Sequence, residues 1–382
     1  MTSIIVSGPI ANKPGNGGIA WNVLSYVRGL ERLGHQVTFV EEIAPEACVD
    51  RKGAPVRFEE SFNLAHFRTV TAQFGLRSAL VYNRGERIIG STVAELAELA
   101  RRADLLLNIS GHLSLEPPFD AIPSKVYLDE DPGYTQFWQV MGVGGLRLAG
   151  HDFHFTIGEN IGRDDCTIPH GDFDWRPTRQ PVLLEDWPCR FDSSASRFTT
   201  VASWRGAYGS VEYEGHRFGL KVHEFRKFFS VPTMVDAAFE VALDILEGDA
   251  ADLQALLDNG WQVTDPRTLV ADPMRFRQYI RDSSAEFSVA QGIYVDTNSG
   301  WFSDRSVRYL AAGKPVLVQD TGFRRCIPTG EGLLAFTDLD EAVAGARDII
   351  ENYQRHAHAA RELAETYFSS DRILTTLLEQ VL

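Results

Sequence analysis

Several polar side chains of this sequence come shortly after short apolar runs, where β-strands are expected to end. His112, Asp131 and Arg205 each occupy such a position. An imidazole can transfer a proton, a carboxylate can accept a proton or a hydroxyl hydrogen bond, and a guanidinium can hold a phosphate. Because ligands of open α/β sheets bind at the carboxyl ends of the strands, the sequence predicts a polar site built from strand ends.

Residues 297–323 predict a ligand-binding turn, a short helix and a buried strand in succession. Ser303 or Asp304 can cap the helix. The first amides of this helix, on Ser303, Asp304 and Arg305, would point outward at the positive end of the helix dipole, which suits a diphosphate. The polar turn in front of the helix consists of Asn298, Ser299 and Gly300.

A glycine-rich loop precedes the first predicted helix. Residues 15–20 match the G-x-G-x-x-A dinucleotide fingerprint, and Glu41 lies near the place where a ribose-binding acid would be expected. However, the loop does not leave its strand directly, as a fingerprint turn should. Gly17 and Gly18 could instead permit tight packing at the start of a helix. The residues themselves leave both interpretations open.

Strand and helix patterns alternate in two separate parts of the chain. The Pro- and acid-rich residues 176–196 lie between these parts and are typical of a linker. The sequence therefore predicts two α/β domains with a boundary near residue 190. Strands are predicted at 4–6, 36–40, 105–109, 125–128, 198–202, 285–290 and 315–318, and helices at 92–103, 235–246, 252–259, 274–283, 339–368 and 373–382.

The composition of the 382 residues is that of a globular protein with an excess of acid. The formal charge of −15, from 37 basic and 52 acidic residues, argues against a nucleic acid or an anionic membrane as the main partner. No signal peptide is predicted, and no apolar run approaches the roughly 18 residues of a transmembrane helix. The four cysteines are scattered without a CxxC pair, which is typical of reduced thiols. A cytoplasmic location is therefore expected.

Two segments carry a resemblance to a known family. Residues 310–316, LAAGKPV, close the ligand segment, and residues 167–174, TIPHGDFD, are similar to a hydrophobic-Pro-Asn-Gly-x-Asp motif. Both resemble glycosyltransferases of the GT-B architecture, especially the family 4-like group and its CgeB-like relatives. The resemblance implies two Rossmann-like domains facing each other across a cleft. Residues 1–190 would form the acceptor side, 191–365 the donor side, and 366–382 a helix that packs back on the N-terminal domain.

The resemblance also implies roles for individual residues. Arg205 and Lys221 match the arginine and lysine that neutralise the donor diphosphate, and stabilising that leaving group would make both catalytic together with His112. Thr264 lies in a strand-then-loop segment of the kind that often touches the nucleobase. Residues expected to face the acceptor are Gly17, Gly18, His112 and Asp131, and those expected to hold the donor are Arg205, Lys221, Thr264, Asn298, Ser299, Gly300, Ser303, Asp304 and Arg305.

The chain departs from the family pattern at two positions of the ligand segment. Family 4-like enzymes usually carry two glutamates eight residues apart there, and this chain has Gly300 and Arg308 instead. We nevertheless expect a glycosyltransferase that uses a nucleotide-diphosphate sugar and a small-molecule or polymer acceptor. By resemblance it would retain the anomeric configuration and need no metal and no other cofactor. The alternatives are an NAD-dependent oxidoreductase built on Gly15-Asn16-Gly17 and Glu41, and a two-lobed nucleotide- or sugar-binding protein without turnover.

Overall fold

The computed structural model describes residues 1–191 and 196–382 of the chain. Residues 192–195, in the predicted linker, lie outside the described residues. The described residues form two large sheets, each covered by helices, which are called the first and second lobes below.

The first lobe is built on an eight-stranded sheet with the order β4-β3-β2-β1-β5-β6-β7-β8. All neighbouring strands are parallel except β3 and β4. The apolar first strand lies at its centre, with Ile4, Ile5 and Val6 fully buried, because both faces of a parallel sheet are covered. The strands are β1 (Ser3–Ser7), β2 (Gln36–Ile43), β3 (Ser78–Tyr82), β4 (Arg87–Ile89), β5 (Leu105–Ile109), β6 (Ser124–Asp129), β7 (Phe153–Thr156) and β8 (Trp175–Pro177).

The second lobe is built on a six-stranded parallel sheet with the order β13-β12-β9-β14-β15-β16. A small antiparallel hairpin, β10 (Glu212–Tyr213) and β11 (His216–Arg217), stands apart from this sheet. The strands of the large sheet are β9 (Arg197–Ser203), β12 (Ala238–Asp244), β13 (Trp261–Thr264), β14 (Ala285–Ser288), β15 (Val316–Gln319) and β16 (Leu333–Phe336).

Side-chain caps fix the starts of several helices. Asn16 caps α1, Asp272 caps α9 and Ser303 caps α11, each by accepting an amide hydrogen bond in the first turn. The helices of the first lobe are α1 (Gly17–Arg32), α2 (Phe62–Gln73), α3 (Val93–Arg102) and α4 (Tyr134–Val140). Those that follow are α5 (Lys221–Phe225), α6 (Val231–Met234), α7 (Ala250–Asp258), α8 (Pro266–Leu269), α9 (Pro273–Asp282), α10 (Gly292–Asp296), α11 (Asp304–Ala311), α12 (Leu339–Glu351), α13 (Tyr353–Tyr367) and α14 (Ser370–Val381).

The helix predicted at 235–246 is wrong, because most of this segment forms strand β12. Phe239, Val241 and Leu243 alternate along it and are buried. Ala242 on the opposite face is buried too, since β12 lies inside a parallel sheet between β9 and β13. A strand buried on both faces loses the simple alternation of exposed and buried residues, so its apolar residues also fitted a helical stripe.

The two lobes are joined by main-chain and side-chain hydrogen bonds near α1. The amide of Gly17 donates to the carbonyl of Val270 at 3.0 Å. The indole Nε1 of Trp21 donates to the carbonyl of Pro273 at 2.6 Å. The last helix, α14, packs on α1, where a Cβ atom at Gly29 would lie 2.6 Å from Leu374. These contacts hold the carboxyl ends of the two sheets close to a shared cleft.

Candidate functional site

A cavity of about 580 Å³ lies between the two lobes. Both lobes contribute to its wall, at the ends of β5, β6, β9 and β14 and at the start of α11. From the first lobe its lining includes Lys13, Asn22, His112, Glu130, Asp131, Tyr134 and Trp138, and from the second lobe Tyr208, Gln291, Tyr294, Trp301 and Asp304. The cavity therefore has an aromatic wall and a cluster of carboxyl groups.

Three acidic residues, Asp129, Glu130 and Asp131, follow one another at the end of β6. One of them has a structural role, and the other two line the cavity. Asp129 is fully buried and accepts hydrogen bonds from Thr135 Oγ1, Gln136 Nε2 and Thr156 Oγ1 at 2.6, 2.8 and 2.7 Å. Its hydrogen-bonding capacity is used inside the lobe. Glu130 and Asp131 instead face the cavity.

Asp131 connects the two lobes through tyrosines. Tyr294 Oη lies 3.5 Å from Asp131 Oδ1, and Tyr208 also faces this carboxylate. Burial and the neighbouring Asp129 raise the pKa of Asp131 to about 6. Asp131 is thus a group that can exchange a proton close to neutral pH.

Glu130 is held by Asn22 of α1. Asn22 Nδ2 lies 2.6 and 2.5 Å from the two carboxyl oxygens of Glu130. Burial, together with the charges of Asp304 and Asp131, raises the pKa of Glu130 to about 8 against the effect of the Asn22 hydrogen bond. At neutral pH this carboxyl group is therefore largely protonated and can donate as well as accept a hydrogen bond.

Five aromatic side chains form a continuous wall across the two lobes. The ring centroids of Tyr134 and Tyr208 are 5.1 Å apart, and those of Trp138 and Tyr208 are 4.8 Å apart. Tyr294 and Trp301 stack at 4.5 Å. Flat apolar faces beside carboxyl groups suit a ring with polar edges, such as a sugar or a base.

The start of α11 contributes Asp304 to the cavity. Arg308, one turn later, donates to the Asp304 carboxylate at 2.7 Å and is itself almost fully buried. The amide of Arg305 donates to Ser303 Oγ at 3.2 Å, so this capping bond uses an amide that was expected to hold the diphosphate. The Arg305 side chain is partly buried in the second lobe, where it binds Glu286, the Val201 carbonyl and Ser288.

The polar turn at Asn298, Ser299 and Gly300 contacts the first lobe. The carbonyl of Ser299 accepts from the amide of Asn160 at 3.1 Å, and Asn298 Nδ2 donates to the Asp165 carboxylate at 2.9 Å. The carbonyl of Asn298 accepts from Asn160 Nδ2 at 3.0 Å. The structure thus places this turn in a contact between lobes, where its polar groups already have protein partners.

Gly300 has no room for a side chain. Its φ of +75° is in the left-handed region, and a Cβ atom there would lie 2.8 Å from the amide nitrogen of Asn160. The glutamate that the family usually has at this position therefore does not fit. At the second position where family 4-like enzymes usually have a glutamate, this chain has Arg308, whose guanidinium orients Asp304.

Arg205 and Lys221 are not among the residues that line the cavity. Arg205 forms an ion pair with Asp249, at 2.5 Å between Nη2 and Oδ1, in the turn between β12 and α7. Lys221 is buried, and its ammonium donates to the carbonyl of Val289. Its amide donates to Gln291 Oε1 at 2.5 Å, and Gln291 does line the cavity. Lys221 thus lies next to the wall, whereas the Arg205 side chain is directed toward Asp249, and both cations have protein groups as their partners.

His112 lies on the cavity wall, as does Lys13. Burial and the cations Lys13 and Arg147 lower the pKa of His112 to about 4. The imidazole is therefore neutral at neutral pH. Lys13 is exposed and carries a positive charge to the mouth of a mainly acidic cavity.

Gly17 and Gly18 of the glycine-rich loop pack against the second lobe and are not among the residues that line the cavity. A Cβ atom at Gly17 would lie 2.3 Å from the carbonyl oxygen of Asp272, and one at Gly18 would lie 3.0 Å from Phe276. These contacts match the interpretation that the two glycines permit tight packing at a helix start. The expected acceptor contact of Gly17 and Gly18 is therefore replaced by a contact with α9.

The dinucleotide interpretation of the first loop is wrong. Glu41 is fully buried and accepts from the amides of Ala11 and Asn12 at 2.7 and 2.8 Å. Asn12 Nδ2 binds the same carboxylate at 2.9 Å. A carboxylate that is occupied by its own loop cannot bind a ribose, and the Gly17 amide is equally occupied by Val270.

Thr264 lies outside the cleft. It lines a separate cavity of about 410 Å³ together with Arg275 and Tyr279. Within residues 1–191 and 196–382, no cluster of three or more His, Cys, Asp or Glu side chains is arranged to hold a metal ion. No helix in the same ranges has the length and apolar character needed to cross a membrane.

Sequence reasoning missed several residues of the cavity. Glu130 stands between Asp129 and Asp131 in the sequence, but nothing in this run of three acids marked it as a cavity residue. Tyr208 and Tyr294 lie in loop and helix segments without a motif, and Asn22 lies on a helix, where a polar residue is usually solvated. Only the pairing of the two lobes brings these four residues together.

Comparisons with known proteins show similarity at the level of structure. No family model matches the chain, and no curated protein matches its sequence. An α-glucosyltransferase solved with UDP and a 13-mer DNA containing an HMU base has a TM-score of 0.62 at 11% identity, covering 99% of each chain. HepE of Anabaena, solved with UDP and glucose, has a TM-score of 0.58 at 14% identity, covering 100% of this chain and 99% of HepE.

A third similar structure is AviGT4, a glycosyltransferase involved in avilamycin A biosynthesis. Its TM-score is 0.54 at 14% identity, with 100% of this chain and 97% of AviGT4 covered. All three similarities extend over both lobes. The chain therefore has the GT-B fold, with two Rossmann-like domains facing each other across a cleft, as the sequence predicted.

Proposed function

We propose that this protein is a glycosyltransferase that transfers a sugar from a UDP-linked donor to an acceptor bound in the cleft. The observation that carries the proposal is the cavity at the facing strand ends of a GT-B fold, with carboxyl groups and an aromatic wall. Three similar structures are glycosyltransferases, and two of them were solved with UDP. We further propose membership of the family 4-like or CgeB-like group, on the sequence pattern of residues 310–316.

In the proposed mechanism the donor diphosphate lies by the start of α11 and the end of β14. The helix dipole of α11 favours negative charge there. Lys221 adjoins this place through the Val289 carbonyl just after β14 and would exchange that partner for the diphosphate as its charge develops. Arg205, at the end of the neighbouring strand β9, would leave Asp249 and turn toward the same charge. Asp131 would bind an acceptor hydroxyl and accept its proton, because its pKa of about 6 suits that transfer.

The outcome of the reaction is proposed to be retention of configuration without a metal ion: the acceptor oxygen would bond to the anomeric carbon on the face from which the diphosphate leaves, while Asp131 takes the hydroxyl proton. The support for both is the resemblance of the ligand segment, together with cationic side chains beside the proposed diphosphate site that could replace a metal charge. We propose an acceptor other than nucleic acid, because the chain has a formal charge of −15 and the cavity contains three carboxyl groups.

The experiment that tests this function is UDP release from UDP-glucose and related donors, measured with and without a panel of sugar, phenol and polyol acceptors. Release of UDP that rises with an acceptor, persists in EDTA and yields the α-anomer by NMR would support all parts of the proposal. Binding of UDP without any turnover would instead support a binding protein. Asp131→Asn should lower turnover at least tenfold, on the scale of general-base catalysis, whereas the exposed Glu362→Gln variant on α13 serves as the control.

A further inference from the structure

The cavity has a polar end in which carboxyl groups outnumber cations. Glu130, Asp131 and Asp304 line it, and Lys13 is the cationic residue among its lining residues within the described ranges. A ligand that enters this end meets three carboxyl groups from two lobes. Its own charge must therefore matter for binding.

The side chains at this end are held in place before any ligand arrives. Asn22 Nδ2 holds Glu130 by hydrogen bonds to both of its carboxyl oxygens, at 2.6 and 2.5 Å. Arg308 fixes Asp304 from inside the second lobe through two hydrogen bonds, at 2.5 Å to its carbonyl and 2.7 Å to its carboxylate. Preorganised polar groups of this kind are costly to reposition, so they select ligands that match them.

Several buried polar atoms at this end lack a hydrogen-bond partner within the described residues, among them Asn22 Oδ1 and, behind Asp304, Arg308 Nε and Nη2. Asn22 is only 6% exposed and lines the cavity, yet its Oδ1 lacks a hydrogen bond within the described residues. Buried polar groups are nearly always paired, so an unpaired one beside a cavity points to a bound group that donates a hydrogen bond. A hydroxyl group is such a donor, and it can also pair with a carboxyl group.

We infer that this end of the cavity binds the transferred sugar through its hydroxyl groups, and that it excludes sugars that carry a carboxylate. The inference deepens the proposed function and rests on it. Glu130 and Asp304, on opposite lobes, would each accept from a hydroxyl, and Asn22 would accept from a third. A uronic acid would place a fourth carboxylate among these groups, where like charges repel in partly desolvated surroundings.

The test compares binding of UDP, UDP-glucose and UDP-glucuronate by isothermal titration calorimetry at pH 9, where the Glu130 carboxyl, with its pKa of about 8, is ionised. UDP-glucuronate differs from UDP-glucose only at C6, so the ratio of their Kd values isolates the sugar charge. We expect UDP-glucuronate to bind at least about tenfold more weakly than UDP-glucose, a modest value for a misplaced charge. Glu130→Gln and Asp304→Asn should each lower this ratio, and Glu362→Gln should leave it unchanged.

The outcomes separate the inference from the function on which it rests. If UDP binds and the two sugars have equal affinities, or if neither carboxamide variant changes the ratio, the inference is wrong while the proposed function stands. If none of the three nucleotides binds the wild-type protein, the proposed function itself is overturned. Thermal melting monitored by circular dichroism shows that each variant is folded, and having one variant in each lobe keeps the test valid if one of them does not fold.

Discussion

Arg308 donates two hydrogen bonds from Nη1 to Asp304, at 2.5 Å to the carbonyl and 2.7 Å to the carboxylate. The arginine side chain is 2% exposed and the aspartate side chain is 33% exposed. The buried cation thus supports an acid that faces the cleft from the first turn of α11. This arrangement occupies a segment where the resembling family usually has two glutamates.

The first prediction concerns the coupling of this pair. We expect a double-mutant cycle of Arg308→Met and Asp304→Asn to give a coupling free energy of about 1–3 kcal/mol in urea unfolding, because the two charges share a buried hydrogen bond. A coupling near zero would show that Asp304 does not depend on Arg308. Arg308→Lys should recover part of the coupling. A lysine keeps the positive charge but lacks the planar guanidinium that directs hydrogen bonds to both the carbonyl and the carboxylate of Asp304.

A second prediction follows from the raised pKa of Glu130. Its value of about 8, above the ordinary 4.5, means that the folded protein keeps a proton that the unfolded chain loses between these two pH values. The free energy of unfolding should therefore fall as pH rises from about 5 to about 8. Groups that face this carboxyl are Asn22, Tyr26, Asp131, Asp304 and Arg308.

Glu130→Gln should remove this contribution. Urea unfolding of the variant should lose less stability than the wild type over the same pH range, with Glu362→Gln behaving as the wild type does. Because Asp131 and Glu41 also titrate in or near this range, the difference between variant and wild type is the quantity to compare. Parallel pH profiles for Glu130→Gln and wild type would contradict the prediction.

The third prediction concerns proton uptake on UDP binding. Burial, with a smaller effect from Arg305, lowers the pKa of Lys221 to about 7, so the lysine is mostly neutral near pH 8. A diphosphate beside it would favour the charged form, and binding should then take up nearly one proton at about pH 8 and far less near pH 6.

Calorimetric titration of UDP in two buffers of different ionisation enthalpy measures this uptake. Lys221→Met should abolish it and weaken binding at both pH values. Proton uptake that is the same in the variant and the wild type would remove Lys221 from the diphosphate site. Asp249→Asn offers a comparison for Arg205, because it releases that arginine from its ion pair without altering Lys221.

A fourth prediction concerns the tight turn at Gly300. Gly300→Ala should destabilise the protein by roughly 2–4 kcal/mol, since it combines a left-handed φ with a Cβ contact against Asn160. The matched control is Gly142→Ala, at a φ of +71° with no atom within 4 Å of the added Cβ. Unfolding in urea should show a cost for Gly142→Ala at least about 1 kcal/mol smaller, and equal costs would show that the Asn160 contact is not tight.

The fold could be predicted from the sequence because it depends on local patterns. Apolar β-branched runs such as 315–318 and caps such as Ser303 specify strands and helix starts from neighbouring residues alone. The helix predicted at 235–246 was wrong for the opposite reason. The segment forms a strand because it pairs with β9 and β13, which are not its neighbours in sequence. Burial on both faces is a property of the assembled sheet and leaves an ambiguous local pattern.

The site was predictable only where a strand end specifies it. His112 and Asp131 lie on the cavity wall just after the predicted strands β5 and β6, and Asp304 lies there at the start of the predicted helix α11. Asn22 and Tyr208 could not be found in this way, because their role depends on how the lobes meet. The orientation of Arg205 was equally hidden, because its partner Asp249 lies five residues beyond the end of β12, at the start of α7, and no local pattern links the two residues.

The segment 206–219, which carries Tyr208 and the β10–β11 hairpin, reaches across the cleft by side chains. Phe218 and Tyr213 pack on Phe137 of α4, with centroid distances of 4.7 and 5.2 Å. By contrast, the bodies of the lobes share main-chain hydrogen bonds at Gly17 and at Asn160. The contact of this segment with the first lobe therefore consists of ring faces, whereas main-chain hydrogen bonds fasten the two sheets to each other.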